Sequence, residues 1–416
     1  MSVCYHGYKI IFFHTFAMQI IPQFRNANNE SGFKVNTKLD VFSTFTPLNY
    51  FLNIVGLSYI YRDGEEVKHS NSIWKALTLS IIFTTINIFS ICFKFYSNEG
   101  KITFGFKDSL ELFYLFGFIQ FIADITLVYK YGRQPYVYYF HLYEYIDSIL
   151  GIPYYNQIRA TIRKMCLFFL IIGIITIICD YIAWVFHYGF IYTTIFSIDY
   201  VYLGIRLLGT LDMISNCIQL SYRLKTINDL LKDYYYETNS LSAVSRNVIY
   251  NKMWVPKEDD KPHDLNRLKT INYNKHNIVV WLSRCYLLLT EQCAFINAMF
   301  GFRVSINLIM TYIIVFYIIK CSVFIPDPSL ISMSMRLVTS SLILLCGLYR
   351  CEQNYKESKR IIAIYIQEKL KELRDLIISR PIVHHASYMH KLNYATLVSL
   401  VSGIMTYTII LLQNMK

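Results

Sequence analysis

The sequence is poor in charged residues. Only 16% of its 416 residues are Asp, Glu, Lys or Arg, whereas 54% are hydrophobic. A soluble globular protein usually contains about 25% charged and about 45–50% apolar residues. A soluble chain of this length would also divide into two or three domains, each of which needs a polar surface. The scarcity of charge therefore argues against an ordinary soluble protein and favours a chain that is solvated by lipid.

The sequence also lacks the usual signs of catalysis and of metal binding. It contains no Gly-rich phosphate loop and no cluster of His, Cys or Asp at metal-ligand spacing. Its ten cysteines include no CxxC pair, and most lie in apolar stretches, which is typical of buried cysteines. His384 and His385 are interpreted as a solvated pair in a polar linker. We therefore expect a protein that is not an enzyme and that has no cofactor and no metal.

Long apolar runs are what the sequence does have. A helix that crosses a bilayer needs about 20 mostly apolar residues. The predicted spans are residues 73–95, 110–128, 166–187, 195–220, 294–319, 331–348 and 392–412. The stretch 45–60 is shorter and carries Pro47 and two Asn, so it is interpreted as an amphipathic or re-entrant helix at the interface. No small-residue cleavage site follows the apolar run 10–21, so we expect no cleaved signal peptide.

The net charge of +12 predicts the orientation of these spans. Lys and Arg concentrate before the first span and in the loops after the second, fourth and sixth spans. The connections 188–194 and 322–330 contain no Lys or Arg. The positive-inside rule places the basic parts in the cytosol, with the N-terminus inside and the C-terminus outside. We therefore assign the positive charge to membrane orientation and expect no nucleic-acid partner.

The predicted fold class is an all-α membrane protein with seven transmembrane helices and a cytosolic helical anchor region. Its segments are a cytosolic N-terminal part (1–72), spans one to four (73–222), a cytosolic loop (223–285), spans five and six (286–350), a cytosolic anchor helix with a linker (351–390) and the last span (391–413). Segments 223–231, 265–282 and 356–377 have apolar residues at helical spacing. They either pack together below the membrane or end as solvated helices. The polar stretch 237–262 is interpreted as a flexible insert.

Two other classes of polytopic protein fit the sequence less well. A G-protein-coupled receptor has its N-terminus outside, and this chain has neither DRY after its third predicted span nor NPxxY in its seventh. A secondary transporter predicts internal repeats and broken helices near the midplane. The sequence shows no repeat, and none of its predicted spans contains proline.

The last predicted span carries a stripe of polar residues. The polar stripe consists of Ser399, Ser402, Thr406, Ile409 and Gln413. Spacings of 3, 4, 3 and 4 place these residues on one face of a helix. Small hydroxyls with one Gln and no charge suit a water-filled conduit or a helix–helix seam, and the pattern leaves both open. In a pore, Ile409 or its neighbour Ile410 would form an apolar gate that closes by dewetting.

Polar and aromatic residues also gather at the predicted outer ends of the other spans. The candidate ligand-binding residues are Glu111, Tyr114, Asp180, Trp184, His187, Tyr188, Asp199, Tyr202, Arg206 and Arg336. Charges in spans are costly, so they usually pair or serve a ligand or ion path, and we expect Asp199 to pair with Arg206 or across helices. Aromatic walls with a few polar groups suit a sugar, an alkaloid or an amino acid, although Trp and Tyr also favour membrane interfaces. Asp124, farther inside, is interpreted as structural.

The last span resembles the signature of insect gustatory receptors, which reads Thr-Tyr, five mostly hydrophobic residues and Gln-Phe. Thr406, Tyr407 and Gln413 match it, Gly403 shortly precedes it, and Asn414 replaces the usual Phe. Shorter motifs in the family's order extend the resemblance from about position 47 to 413. They are Pro47-Leu48 with Gly56-Leu57, Arg223 with Ile227-Asn228 and Leu231, Ile296-Asn297 with Phe300-Gly301, Cys351 before a charged helix, and Pro381.

The resemblance implies a tetrameric, ligand-gated, non-selective cation channel of the plasma membrane, opened by a small-molecule tastant such as a sugar or a bitter compound. It implies that the seventh helix of each subunit lines the pore and that the ligand pocket lies in the outer half of the preceding helices. Gln413 would then lie near the outer gate, with Ile409 and Ile410 beside the constriction. The assembly would be a homotetramer or a heterotetramer with related receptors. An insect odorant receptor, which has the same architecture, is the nearest alternative.

Overall fold

The structure is a computed structural model that describes most of the chain after position 40. The described residues are 41–64, 66–69, 72–97, 108–131, 134–150, 154–195, 197–247, 275–324, 329–363, 371–386 and 390–413. The predicted N-terminal run 10–21 and most of the predicted insert lie outside them.

Helices dominate the described residues. They are α1 (Val41–Ile54), α2 (Ser72–Ser97), α3 (Asp108–Tyr131), α4 (Gln134–Leu150), α5 (Tyr155–Tyr188), α6 (Phe190–Ile195), α7 (Ile198–Asn247), α8 (Lys275–Phe324), α9 (Ser329–Ala363), α10 (Lys371–Ser379) and α11 (Tyr394–Gln413). Two antiparallel hairpins complete them, β1 (Ile60–Asp63) with β2 (Glu66–His69) and β3 (His385–Ala386) with β4 (His390–Lys391). Each predicted span falls on one of the helices α2, α3, α5, α7, α8, α9 and α11, and the helical fold class is confirmed.

The predicted interfacial helix is shorter than expected. α1 ends at Ile54, and the chain then turns through Gly56, whose φ is +75°. A Cβ at Gly56 would also lie 3.2 Å from backbone atoms of Ala76 in α2, so the turn excludes a side chain on two grounds. Ile60 therefore begins a strand instead of ending a helix. Ser58 fastens the turn to α1 by donating a hydrogen bond to Asn49 at 2.7 Å.

Several helices have the length and composition of membrane spans. Within the described residues, Tyr155–Phe186, Thr193–Asp233 and Val280–Val315 are long and apolar enough to cross a bilayer, and Trp74–Ser90 and Tyr394–Tyr407 are shorter apolar helices. α5 exposes large apolar side chains along much of its length. They include Leu167, Phe168, Ile171, Ile174, Ile175 and Ile178. An exposed apolar surface of this extent favours contact with lipid.

α7 is the central helix of the bundle. Every residue from position 207 to 221 is buried, and α7 packs against α3, α5, α8 and α9. Some of the polar groups buried around it join neighbouring helices. Arg303 of α8 donates to Asp124 of α3 at 2.7 Å and to the Gly209 carbonyl of α7 at 3.1 Å. Arg303 thus joins three helices.

A second apolar core, which we call the anchor cluster, is formed by parts of the five helices α4, α7, α8, α9 and α10. Its buried members are Leu142, Ile146, Leu150, Leu220, Leu224, Ile227, Leu231, Leu282, Cys285, Tyr286, Leu289, Cys293, Ile361, Leu373, Ile377 and Ile382. The segments 223–231 and the described parts of 265–282 and 356–377 therefore pack together. The first part of the predicted flexible insert, 237–262, is helical, because α7 continues to Asn247. Residues 248–262 are not described.

A buried ion pair joins α4 to α7 at the anchor cluster. The Arg223 guanidinium donates to both carboxylate oxygens of Asp147, at 2.7 and 2.6 Å, and lies 3.8 Å above the centre of the Tyr143 ring. Tyr155 also donates to Asp147, at 2.8 Å. Burial raises the pKa of the Asp147 carboxyl above its ordinary value, and the Arg223 charge opposes that rise. The two-point geometry orients α4 against α7.

Candidate ligand site and pore helix

Three of the candidate ligand-binding residues meet in one buried ion cluster. Arg336 of α9 donates to Asp180 of α5, with Nε to Oδ2 at 3.0 Å, and its two terminal nitrogens contact Asp180 and Asp199. The Arg336 guanidinium also lies 5.5 Å from the centre of the Tyr200 ring. We call Asp180, Asp199 and Arg336 the Arg336 cluster. Asp199 therefore pairs across helices, which is one of the two expected arrangements.

Arg206 belongs to a separate chain of hydrogen bonds. Its Nε donates to Gln120 at 3.1 Å, Gln120 donates to Asn307 at 3.2 Å, and Asn307 donates to Thr210 at 2.9 Å. This chain links α3, α7 and α8. The sequence analysis did not single out Gln120 or Asn307, although an uncharged amide in a predicted span is itself a sign of an inward-facing residue.

A small cavity lies between the Arg336 cluster and Arg206. Its walls are formed by Asp199, Leu203, Arg206, Met310, Ile314, Arg336 and Ser340. The cavity volume is about 10 Å³, which is close to what one water molecule requires. Pockets for organic ligands usually measure about 300–1,000 Å³. In this conformation the helices must separate before such a ligand can reach these charges.

The remaining ligand candidates lie elsewhere or outside the described side chains. Tyr202 is buried in an aromatic group, 6.1 Å from the ring centres of Phe83 and Phe121, and is not among the residues that line the cavity. Trp184 is partly buried and packs near Ile306 and Met310. The four other candidates occupy the helices α3 and α5, and nothing is described of their side chains. They are Glu111, Tyr114, His187 and Tyr188.

α11, the predicted pore helix, packs against the bundle through one face. Ile404 packs against the main apolar core, and a Cβ at Gly403 would lie 3.5 Å from the Tyr312 hydroxyl of α8. An α-helix turns by about 100° per residue, so each member of the polar stripe lies roughly 140–180° around the helix from Ile404. The stripe therefore points away from the chain's own bundle.

The polar stripe is exposed in the described chain. Ser399, Ser402, Thr406, Ile409 and Gln413 are all exposed, as are Ile410, Tyr407 and Gly403. The Thr406 hydroxyl donates to the Ser402 carbonyl of its own helix at 2.9 Å. That bond satisfies the hydroxyl proton and leaves the hydroxyl oxygen facing outward as an acceptor.

His384 differs from its predicted environment. It is buried, with 2% of its surface exposed, and its Nε2 lies 3.0 Å from the Asn354 side-chain nitrogen. Cys217, Cys351 and His384 place one ligand atom each within 4.8 Å of one another. The interpretation of His384 as a solvated residue is therefore wrong, and the expectation of no metal stays a prediction. Sequence spacing could not reveal this group, because 134 residues separate Cys217 from Cys351 and 167 separate it from His384.

Comparison with known proteins places the fold. No protein-family model and no curated protein sequence matches the chain. The solved structure of the insect olfactory receptor OR5 from Machilis hrabei matches with a TM-score of 0.55 and 11% identity, over 89% of this chain and 97% of that chain. The structure of the same receptor in complex with eugenol matches with a TM-score of 0.52 and 10% identity, over the same shares. The chain thus has the fold of an insect olfactory receptor, which is the architecture that the sequence resemblance implies.

Proposed function

We propose that the chain is a subunit of a chemosensory receptor channel, in which a small organic molecule opens a pore for cations. The observation that carries this proposal is the direction of the polar stripe on α11. Its hydroxyl and amide side chains face away from the subunit's own bundle, where only lipid, water or another subunit can meet them. Uncharged polar groups are poorly solvated by lipid, so a water-filled axis between subunits suits them best.

The gustatory type is the first candidate. It is supported by Thr406, Tyr407 and Gln413 in the last helix, at the spacing of the gustatory signature. The olfactory type is the second candidate, and the fold of the Machilis hrabei receptor favours it. That receptor has been solved with eugenol, so eugenol belongs in any ligand screen beside sugars, bitter compounds and amino acids.

The basic segments support a subunit with its N-terminus in the cytosol and its C-terminus outside, in the plasma membrane. On that orientation the Arg336 cluster lies in the outer half of the bundle and the anchor cluster lies at the cytosolic side. A ligand that separates α7, α8 and α9 would reach Asp199, Arg206 and Arg336 together. We propose this as the ligand site, with hydrogen bonds to the ligand replacing part of the ion pairing.

The first experiment expresses the chain alone in a cell that lacks related receptors and records whole-cell current during ligand application. Ile409→Ala and Gln413→Ala are expected to change the leak current or the cation selectivity, because they alter the predicted gate and outer mouth. Val401→Ala is the matched control, since Val401 is exposed on α11 but lies off the polar stripe. A ligand-evoked current that neither stripe substitution changes would exclude the stripe as the pore.

A second experiment tests the assembly directly. Thr406→Cys is expected to form covalent dimers between subunits under mild oxidation, because stripe residues of neighbouring subunits converge on one axis. Val401→Cys should form far fewer, and the wild-type chain gives the background of the native cysteines. Equal cross-linking of both variants would contradict the arrangement.

A further inference from the structure

A group of sulfur and nitrogen atoms lies buried between the membrane helices and the segment that leads into α11. The Cys217 sulfur of α7 is 4.0 Å from the Cys351 sulfur of α9 and 3.9 Å from Nε2 of His384. All three residues are at most 2% exposed. Each side chain comes from a different part of the chain, so the fold alone brings them together.

The distances suit a tetrahedral zinc ion. Zinc binds thiolate sulfur at about 2.3 Å and imidazole nitrogen at about 2.0–2.1 Å, so two such ligand atoms lie about 3.5–3.8 Å apart in a tetrahedral site. The observed separations of 4.0 and 3.9 Å need only a small contraction. They are far longer than the bond of about 2.05 Å that a disulfide requires.

An amide side chain lies beside these three residues. The side-chain nitrogen of Asn354 is 3.0 Å from Nε2 of His384 and donates to the Cys217 carbonyl at 3.2 Å, so it links the histidine to α7. The Asn354 side-chain oxygen is buried without a hydrogen-bond partner among the described residues, which leaves an unsatisfied acceptor next to the group.

The other side of the imidazole also has a neighbour. A histidine ligand usually donates its second ring nitrogen to a neighbouring acceptor, which fixes the orientation of the ring. Here Nδ1 of His384 lies 3.7 Å from the Cys293 sulfur. Asn297 supports the same segment by donating to the Val383 carbonyl at 2.8 Å and accepting from the His385 amide at 3.1 Å.

Charge balance favours a divalent ion at this position. Two thiolates and one zinc ion sum to zero charge, so the loaded site avoids the cost of an isolated charge in a buried environment. Soft sulfur ligands together with imidazole select zinc over the hard cations magnesium and calcium. We propose that Cys217, Cys351 and His384 supply three ligands of a zinc site that joins α7 and α9 to the segment preceding α11.

The site would fasten the start of the last helix to the centre of the bundle. Six residues separate His384 from Lys391, where the β3–β4 hairpin ends, and α11 begins at Tyr394. A metal ion at His384 would therefore limit the movement of the α11 base relative to α7. This role does not depend on the ligand or on ion conduction.

The test measures metal in the full-length chain after purification in detergent without chelators. Elemental analysis is expected to find about one zinc ion per chain. Cys217→Ser, Cys351→Ser and His384→Asn should each lose most of it. Cys346→Ser is the matched control, because Cys346 lies on α9 near Cys351 and outside the group. Cys293→Ser should retain zinc, but its affinity for zinc, measured in competition with a chelator, should fall about 10–100-fold.

A second readout covers variants that fail to fold. Addition of cobalt to the metal-depleted wild-type chain should produce the absorption band of a cobalt–thiolate bond, which needs no substitution. Wild-type chain without zinc and without this band would overturn the proposal. So would full zinc content in the Cys217→Ser/Cys351→Ser double variant, or a disulfide between these two cysteines in peptide mapping. None of these results requires channel activity, so they leave the proposed function to its own experiments.

Discussion

α7 and α11 both contain long apolar stretches, but their side chains differ in burial. α7 buries every residue from position 207 to 221 against its own chain. α11 leaves most of its described side chains exposed, among them Val398 at 67% and Met405 at 62%. Buried polar groups of α7 such as Thr210 and Gln219 bond to other helices, whereas among the described residues the polar stripe of α11 has a hydrogen bond only within its own helix. α7 therefore holds the bundle together, and the polar stripe of α11 stays on the surface of the described chain.

The largest effect on stability is expected at Arg223 of α7. Arg223→Met leaves the Asp147 carboxylate buried without its partner, which costs about 3–5 kcal/mol of folding free energy. Thermal unfolding of the detergent-purified chain, followed by size-exclusion chromatography, measures the loss. Lys225→Met is the control, because Lys225 lies two residues away on α7 and is exposed.

Repair of the same site sharpens the prediction. The double variant Asp147→Leu/Arg223→Met removes both charges and should recover most of the lost stability, since an apolar pair of similar volume is tolerated at such positions. An Arg223→Met chain as stable as Lys225→Met would contradict the central role of this ion pair.

A smaller effect is expected for apolar packing. Ile214→Ala removes a fully buried side chain of α7 and should cost about 2–5 kcal/mol. Val401→Ala removes a half-exposed side chain of α11 and should change the stability by about 0.5 kcal/mol or less. The same unfolding assay compares the two. Equal losses would break the contrast between the helices, because they would mean that α11 is packed as tightly as α7.

Effects of up to about 3 kcal/mol, of either sign, are expected at glycines. A Cβ at Gly209 of α7 would lie 3.0 Å from the Arg303 guanidinium, which Asp124 holds in place, so Gly209→Ala should cost about 1–3 kcal/mol. Gly204 has no atom within 4 Å of such a Cβ, and Gly403 of α11 has its nearest at 3.5 Å. Gly204→Ala and Gly403→Ala should therefore stabilise their helices by up to about 1 kcal/mol. A destabilising Gly204→Ala would contradict the open space beside Gly204.

Local pattern was enough to predict the helices and the shared face of the polar stripe. Hydropathy marks each apolar run, and a spacing of three and four residues assigns Thr406 and Gln413 to one face, whatever the rest of the chain does. The end of α1 was not predicted, because it depends on the close approach of Ala76 to Gly56. That contact joins two segments that no local pattern connects.

The buried polar sites depend still more on tertiary structure. Arg336 meets Asp180 across 156 residues of sequence, and the sequence analysis named both residues without pairing them. Gln120, Asn307 and Arg303 were not singled out at all. His384 was misjudged because a polar linker suggests solvent, whereas the fold inserts this linker between α7, α8 and α9. Pairing of distant residues requires the packing of helices, which periodicity does not specify.

The unbroken course of α9 has a mechanical consequence. Its 35 residues form one rod of about 52 Å. Arg336 stands near one end, and Cys351 follows about 22 Å farther along the same axis. Because α9 is one continuous helix, a displacement of Arg336 is transmitted along the helix to Cys351. A force that moves the Arg336 cluster would therefore also act on Cys351, beside the segment that precedes α11.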